Sequence, residues 1–367
     1  MRAGAKKENH FSDVVTFEID DIAFGGSGVG RLDGVVCFIK GVLLGEHIQG
    51  RVIKKKSRFW EVELLEVKEQ SLHRVEPPCP YFLQCGGCAY QHVEYSQQLV
   101  IKSKQLHDAL KRIAGIENPP LRSMVPSPQP FYYRNRITVH VRHGDVGFFK
   151  AKDAQLIPID TCLLASKEVN SLLAHLKLQR PPDGDYLLGE KQHYGGFRQV
   201  NNEVAKLLLE EVRKYILRSP RKFLIDAYCG AGFFSHAFAP YFSKIFGIER
   251  SRGSISLARR EAAFNEVFQE GSVEELLPQA LDTFPALATI LILDPPSEGL
   301  SQLVLHAILN HPPSIVIYIS CNPTTLARDL KHLLKVYQLE ESTPLDMFPQ
   351  TAEIESVHFL KKQVDVY

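Results

Sequence analysis

The chain has 367 residues, room for roughly two or three domains and a sizeable core. Its apolar and charged fractions are ordinary for a globular protein, and a net charge of +1 gives no whole-molecule signal for nucleic acid. Seven unevenly spread cysteines argue against a disulfide framework and for metal binding or chemistry in a reducing compartment. The opening MRAGAKKENH lacks the apolar stretch of a signal peptide, and no run of about 18 apolar residues follows. A cytoplasmic location without a membrane partner is therefore expected.

Residues 1–10 read as a disordered tail. From 11 to 68 come short β-like runs, VVTFEI, VVCFIK, EHIQGRVIKK and FWEVELLEV, broken by glycines. Short strands without a helical period predict a small closed β-barrel. The Gly25–Gly30 stretch follows a strand but opens no helix, so a glycine-rich turn is preferred over a phosphate loop. Lys54–Arg58, KKKSR, adds positive charge to that barrel, or only a solubilising edge.

Residues 69–198 form a central region. It opens on the Pro- and Cys-rich EPPCPYFLQCGGCAYQH, followed by an amphipathic helix from Ser96 to Ile113. After proline-rich punctuation at 119–130, YYRNRITVHVR and VGFFK alternate as antiparallel strands. Residues 100–152 carry ten Lys or Arg and three acids, Asp108, Glu117 and Asp145. Such a bias is either a solvated face or a surface for phosphates.

Residues 199–367 switch to alternating helix and strand. A helix around 202–217 leads into KFLIDAYCG. Helices near 252–265 and 299–310 separate the strands KIFGIER, ATILILDPP and SIVIYISCNP. That texture predicts an α/β domain with a mostly parallel sheet.

Asp226-Ala-Tyr-Cys-Gly-Ala-Gly ends one strand and opens a helix, where glycines let the backbone approach a ligand. Glu249 ends the next strand, a position suited to ribose hydroxyls, and Asp294-Pro-Pro ends another. Each acid singly could be a helix cap. Together, on three strand ends, they resemble the class I (Rossmann-like) methyltransferase layout. The run G-A-G-F-F-S lacks the third glycine of a nicotinamide site.

Cys321 follows the apolar strand SIVIYIS, and Asn322-Pro323 turns the chain into a helix. A cysteine beside a helix start can have a lowered pKa, and the thiolate is the attacking species. A buried, inert cysteine is the alternative. Addition of a thiolate to C6 of uracil would make C5 nucleophilic, and a base must then take the C5 proton. Asp346, Glu353 and Glu355 in LDMFPQTAEIESV are the candidates.

Over nearly the whole chain these motifs resemble the RNA 5-methyluridine methyltransferase family, in its iron–sulfur form with an N-terminal TRAM domain that binds RNA. Ribosomal RNA uracil-C5 methyltransferases are similar. The resemblance implies S-adenosylmethionine as methyl donor, Cys321 as nucleophile and Glu355 as base. It implies Gln199, Tyr228, Glu249, Asp294 and Ser272 at the cofactor. Cys79, Cys85, Cys88 and Cys162 could by spacing hold zinc or an iron–sulfur cluster. The resemblance implies a [4Fe–4S] cluster, in a structural or RNA-docking role, because methyl transfer moves no electrons. Two positions depart from the family. Glu353 stands where the family commonly has His, and Ser297 where it commonly has Arg. The expected partner is RNA, ribosomal RNA first with transfer RNA as the alternative, met by a single subunit through Phe59, Trp60, Arg134, Arg136 and Arg142. A non-catalytic assembly factor is the alternative from another class. Cytosine methylation ranks lower, because Asp294-Pro-Pro-Ser has no cysteine.

Overall fold

The structure is a computed structural model that describes residues 13–150, 154–190, 199–220 and 222–363. The expected N-terminal tail, 1–10, lies outside the described residues. Contacts divide the chain into two compact units. One takes the chain up to Ile101 with Phe148–Ile157 and Gln350–Ala352; the other takes Lys102–Gly147, Pro158–Pro349 and the chain from Glu353.

The first unit contains a five-stranded barrel. Its strands are β1 (Val14–Ile22), β2 (Ser27–Leu32), β3 (Val35–Lys40), β4 (His47–Lys55) and β5 (Phe59–Glu69), closed in the order β1-β2-β3-β5-β4. Alternate residues, among them Phe17, Ile19, Ile39, Ile48, Val52 and Val62, fill its interior. The glycine run is a turn and a strand rather than a phosphate loop. Gly25 and Gly26 turn the chain at positive φ. Gly28 and Gly30 lie within β2, where an added Cβ would stand 2.3 Å from Val42 and 2.4 Å from Phe17.

Helix α1 (Tyr95–Arg112) follows. A four-stranded sheet has the order β8-β7-β6-β9, from β6 (Arg136–Arg142), β7 (Asp145–Phe149), β8 (Leu156–Pro158) and β9 (Gly184–Gly189), with α2 (Lys167–Gln179) between the last two. Then come α3 (Asn202–Leu217), β10 (Phe223–Ala227), α4 (Phe233–Phe238), β11 (Lys244–Glu249), α5 (Arg252–Glu261), β12 (Glu266–Glu270) and α6 (Val273–Thr283). The chain closes with β13 (Thr289–Leu293), α7 (Gln302–Asn310), β14 (Ile315–Ser320), α8 (Pro323–Leu333), β15 (Tyr337–Leu345) and β16 (Glu355–Lys362).

The second unit is built on a seven-stranded sheet of order β12-β11-β10-β13-β14-β16-β15, parallel from β12 to β14 and antiparallel at β16 and β15. Buried Thr289 and the four buried apolar residues after it make β13 a central strand covered on both faces. The order reverses between β10 and β13, and open sheets of this kind bind ligands at their carboxyl edge beside that point. Helix starts are capped by Asn201, Ser251, Ser301 and Asn322, whose side chains accept N–H groups of the first turn.

Two placements escape a local reading. Leu106, Leu110 and Ala114 join the core of this sheet. The segment expected as punctuation runs parallel to β15: Arg122 N–H donates to the Ser342 carbonyl (2.8 Å) and Val125 N–H to that of Pro344 (2.9 Å).

Candidate active site

The parallel strands deliver their chemistry to one edge. β10 ends at Ala227, and Tyr228 then takes φ +65°, a left-handed conformation that an L side chain holds only when its surroundings require it. Gly230 and Gly232 follow at φ +55° and +86°. Glu249 closes β11 and reaches back to this turn. One carboxylate oxygen accepts Gly230 N–H (3.2 Å) and the other accepts Ser251 N–H (2.6 Å). Asp294 follows β13, and its N–H donates to the Ala227 carbonyl (3.4 Å). Ser272 is the first residue before α6, with no side-chain cap bond of its own. Gln199 is buried, and its carbonyl accepts from Asn135 Nδ2 (2.9 Å). Tyr228 is half-buried, and burial pushes its phenol pKa up.

Asp226 contributes more than the start of a motif. Its side chain is fully buried, and one oxygen takes both the N–H (3.1 Å) and the hydroxyl (2.6 Å) of Ser235. Its other oxygen has no hydrogen-bond partner among the described residues. Burial pushes its pKa up to about 7, and burial together with Asp226 pushes Asp294 up to about 7 as well. The sequence pointed to this acid only as the residue that opens DAYCG.

Cys321 stands one residue past β14 and one before the cap of α8. Antiparallel pairing runs from Ile315↔Lys361 to Ser320↔Ser356, and one further step of that register sets Cys321 opposite Glu355. Cys321 is half-buried and Glu355 is buried. The thiol does not have the lowered pKa expected of a cysteine at a helix start. Burial pushes it up to about 12, and the carboxylates of Glu355, Asp294 and Glu353 act in the same direction. Burial, then Asp294 and Glu353, hold Glu355 well above the usual carboxyl range. Burial of the thiol and the neighbouring carboxylates outweigh the dipole of one short helix.

The three candidate bases separate by environment. Asp346 is committed elsewhere: its carboxylate and the Lys102 ammonium, both fully buried, meet at 2.6 Å. Removal of one partner would leave a buried charge alone, at a cost of about 3–5 kcal/mol. Glu353 is largely exposed and lies 3.7 Å from the Arg134 guanidinium. Glu355 is the acid at the ladder position next to the thiol.

The turn after Asp294 is tied to α8. Asn322 Nδ2 (3.1 Å) and Thr325 Oγ1 (2.9 Å) both donate to the Ser297 carbonyl. Arg328 donates to the Glu298 carbonyl (2.8 Å), and buried Asp329 accepts Leu300 N–H (2.7 Å) and the Tyr318 hydroxyl (2.8 Å). None of these bonds uses the Ser297 side chain, so the absence of Arg at that position leaves the turn intact.

The arginines expected to track phosphate already have protein partners. Arg134 faces Glu353, and Arg142 donates to Asp185 (3.0 Å) and to the Gly184 carbonyl (3.1 Å). Arg136 is half-buried, which lowers its pKa. On the barrel, Lys55 lies 4.5 Å over the Trp60 ring and Lys56 lies 4.9 Å over Phe59. Phe38 meets Phe59 edge to face at 5.4 Å.

Cys37 and Cys229 are buried, while Cys79, Cys85, Cys88, Cys162 and Cys321 are half-buried. Gly87 N–H donates to Cys85 Sγ (3.4 Å) and Gln91 Nε2 to Cys88 Sγ (3.1 Å), while Gln91 Oε1 accepts Cys79 N–H (3.2 Å). Cys162 is bracketed by Asn170, which accepts its N–H (2.9 Å) and donates to its carbonyl (3.0 Å). Among the described residues, no three His, Cys, Asp or Glu side chains come together in a way that could hold a metal ion. The donor chemistry of these side chains suits an iron–sulfur cluster.

Comparison with known proteins places the chain in a family. Residues 182–363 match the family model described as tRNA (Uracil-5-)-methyltransferase. An uncharacterized RNA methyltransferase of Protochlamydia amoebophila is 30% identical, over 94% of this chain and 97% of the relative. The chain belongs to the RNA (uracil-5-)-methyltransferase family. It is an RNA methyltransferase. An uncharacterized RNA methyltransferase of Bacillus cereus is 28% identical over 97% of this chain and 98% of its own length. A tRNA (uracil-54, C5)-methyltransferase of Pyrococcus abyssi, in complex with S-adenosyl-L-homocysteine, shares the fold. It covers 94% of this chain and 100% of its own, with a TM-score of 0.71 at 22% identity. No helix among the described residues is long and apolar enough to cross a membrane.

Proposed function

We propose that the chain methylates C5 of a uridine in RNA, with S-adenosylmethionine as donor, Cys321 as nucleophile and Glu355 as base. The observation that carries this reading is a thiol and a buried carboxyl at the next step of one ladder, at the ligand edge of the sheet. Gln199, Tyr228, Glu249, Ser272 and Asp294 would hold the cofactor. The unpartnered oxygen of Asp226 and the left-handed turn at Tyr228 support a ligand at that edge. S-adenosylmethionine supplies an electrophilic methyl group when bound.

The chain's own residues do the rest. Cys321 loses its proton and its sulfur bonds to C6 of the uracil. The electron pair of the C5=C6 bond becomes an enolate, and C5 takes the methyl. Glu355 then removes the C5 proton, the S–C6 bond breaks and the double bond re-forms. Once ionised, a carboxylate whose pKa is raised is a stronger acceptor for that proton than an ordinary one. A uridine inside a helix must first be turned out of its stack.

Large-subunit ribosomal RNA is the proposed substrate, met by a single chain. Transfer RNA is the second reading, favoured by the description of the family model and by the archaeal enzyme of like fold. We read residues 11–68 as a TRAM-like RNA-binding barrel, 69–198 as a central domain with a [4Fe–4S] cluster on Cys79, Cys85, Cys88 and Cys162, and 199–367 as the methyltransferase domain. Two of these sulfurs, Cys85 and Cys88, accept N–H bonds, as cluster thiolates do, which supports the cluster. No catalytic step runs through it.

RNA carrying tritium at C5 of uridine tests the reading. With S-adenosylmethionine the protein should release tritium from ribosomal RNA, and Cys321→Ala should release none. Release from transfer RNA alone would select the second reading. No release from either RNA, from protein shown to bind the cofactor, would leave a non-catalytic RNA-binding role.

A further inference from the structure

His358 is a fully buried imidazole that the reaction above does not use. It sits on β16, three residues after Glu355, paired across the ladders with Tyr318 on β14 and Ser342 on β15. Both ring nitrogens are engaged: Nδ1 lies 2.8 Å from Ser342 Oγ, and Nε2 lies 2.9 Å from Ser356 Oγ. Ser356 Oγ in turn donates to the Ser320 carbonyl (3.2 Å). A chain of hydrogen bonds therefore crosses three strands and ends at Ser320↔Ser356. That pair lies one step before Cys321 and Glu355.

The proton count fixes the tautomer. A hydroxyl has one hydrogen, and that of Ser356 goes to the Ser320 carbonyl, which can only accept. Ser356 Oγ must therefore accept from His358, so Nε2 carries the proton. Nδ1 is then the acceptor, and the Ser342 hydroxyl donates to it. Burial lowers the His358 pKa to about 3, so the ring stays neutral and this direction holds throughout the working range of pH.

Resting on the methyl-transfer reading, we propose that His358 is a positioning residue that locks the end of the β14–β16 ladder and so sets the spacing of Cys321 and Glu355. Ladders fray at their ends, and the nucleophile and base stand at this end. The thiol must reach C6 while the carboxyl reaches the hydrogen on C5, so the tolerance for slip is small. A displacement of about 1 Å between reacting groups can cost about a hundredfold in rate. A neutral imidazole bonded at both nitrogens fills this place without a buried charge.

The test compares His358→Leu, His358→Gln and Ser356→Ala with the wild type. Tritium release from C5 of uridine is followed at several RNA concentrations, and folding is checked by cofactor affinity. His358→Leu and Ser356→Ala should lower kcat roughly tenfold or more while KM moves by less than about twofold. His358→Gln, whose amide N–H can donate to Ser356, should recover part of that loss. Nitrogen NMR of the wild type should show a neutral, Nε2-protonated ring across the neutral range.

Unchanged kcat in a folded His358→Leu or Ser356→Ala variant would overturn the proposal. So would a loss confined to KM, or a ring protonated at Nδ1. Where His358→Leu does not fold, Ser356→Ala decides, since it removes only a hydroxyl. Wild-type protein that releases no tritium would instead sink the methyl-transfer reading, while the NMR result would still judge the network.

Discussion

At Cys321, burial and charge act in the same direction. The thiol is half-buried, and the carboxylates of Glu355, Asp294 and Glu353 all raise its pKa. In the ligand-free protein the thiol is therefore protonated at neutral pH, and its alkylation by iodoacetamide should keep rising as pH is raised toward about 12. Glu353→Gln removes one of the three negative neighbours, which lowers the pKa and should speed alkylation of Cys321 at any fixed alkaline pH. Mass spectrometry of the Cys321 peptide reads the rate. An equal rate in wild type and Glu353→Gln, or a thiol that titrates below the ordinary cysteine value, would refute this electrostatic account. The departure from His to Glu at 353 thus has a physical consequence, tempered by Arg134 at 3.7 Å. The sequence offered Cys321 and three acids as candidates, but not the order in which the acids act on the thiol. Asp346 was set apart only by Lys102, a partner 244 residues away.

The elements were legible where local rules decide them. The helix expected at 202–217 forms as Asn202–Leu217 because Asn201 caps it and its apolar residues share one face. The helix expected to run to 265 stops at Glu261, where Ala262 turns to extended backbone. The start of α8 follows from Asn322 and Pro323, a cap and a residue preset for the first turn. The cysteine segment is where local reading falls short. Spacing identifies possible ligands, whereas a metal site needs side chains from distant segments to converge, which spacing alone does not determine. If the cluster forms, protein isolated without oxygen should contain iron and sulfide in equal amounts and show a broad visible absorption, both lost in Cys85→Ser. Colourless, iron-free protein that still methylates RNA would refute the cluster.

At the scale of the whole molecule, a near-neutral chain can still carry a basic, aromatic patch. Lys55 over Trp60 and Lys56 over Phe59 give the barrel flat rings and nearby cations, the pairing that suits single-stranded nucleic acid. If this patch meets RNA, Trp60→Ala should cost about 1–3 kcal/mol of binding. Affinity should fall linearly with the logarithm of salt concentration, with a shallower slope in Lys55→Gln. An affinity flat in salt, or a Trp60→Ala variant that binds as tightly as wild type, would place the RNA elsewhere. The amino-acid sequence by itself determined the barrel, the parallel strands, the capped helices and the turns that carry Tyr228, Asp294 and Cys321. Each depends on residues a few places apart, through periodicity, capping and the glycine backbone. Only the tertiary structure decided that Glu355 stands opposite Cys321, that α1 joins the methyltransferase core and that residues 121–125 run along β15. It also reversed the expected direction of the thiol's pKa, because that direction is set by burial first and then by carboxylates brought together by folding.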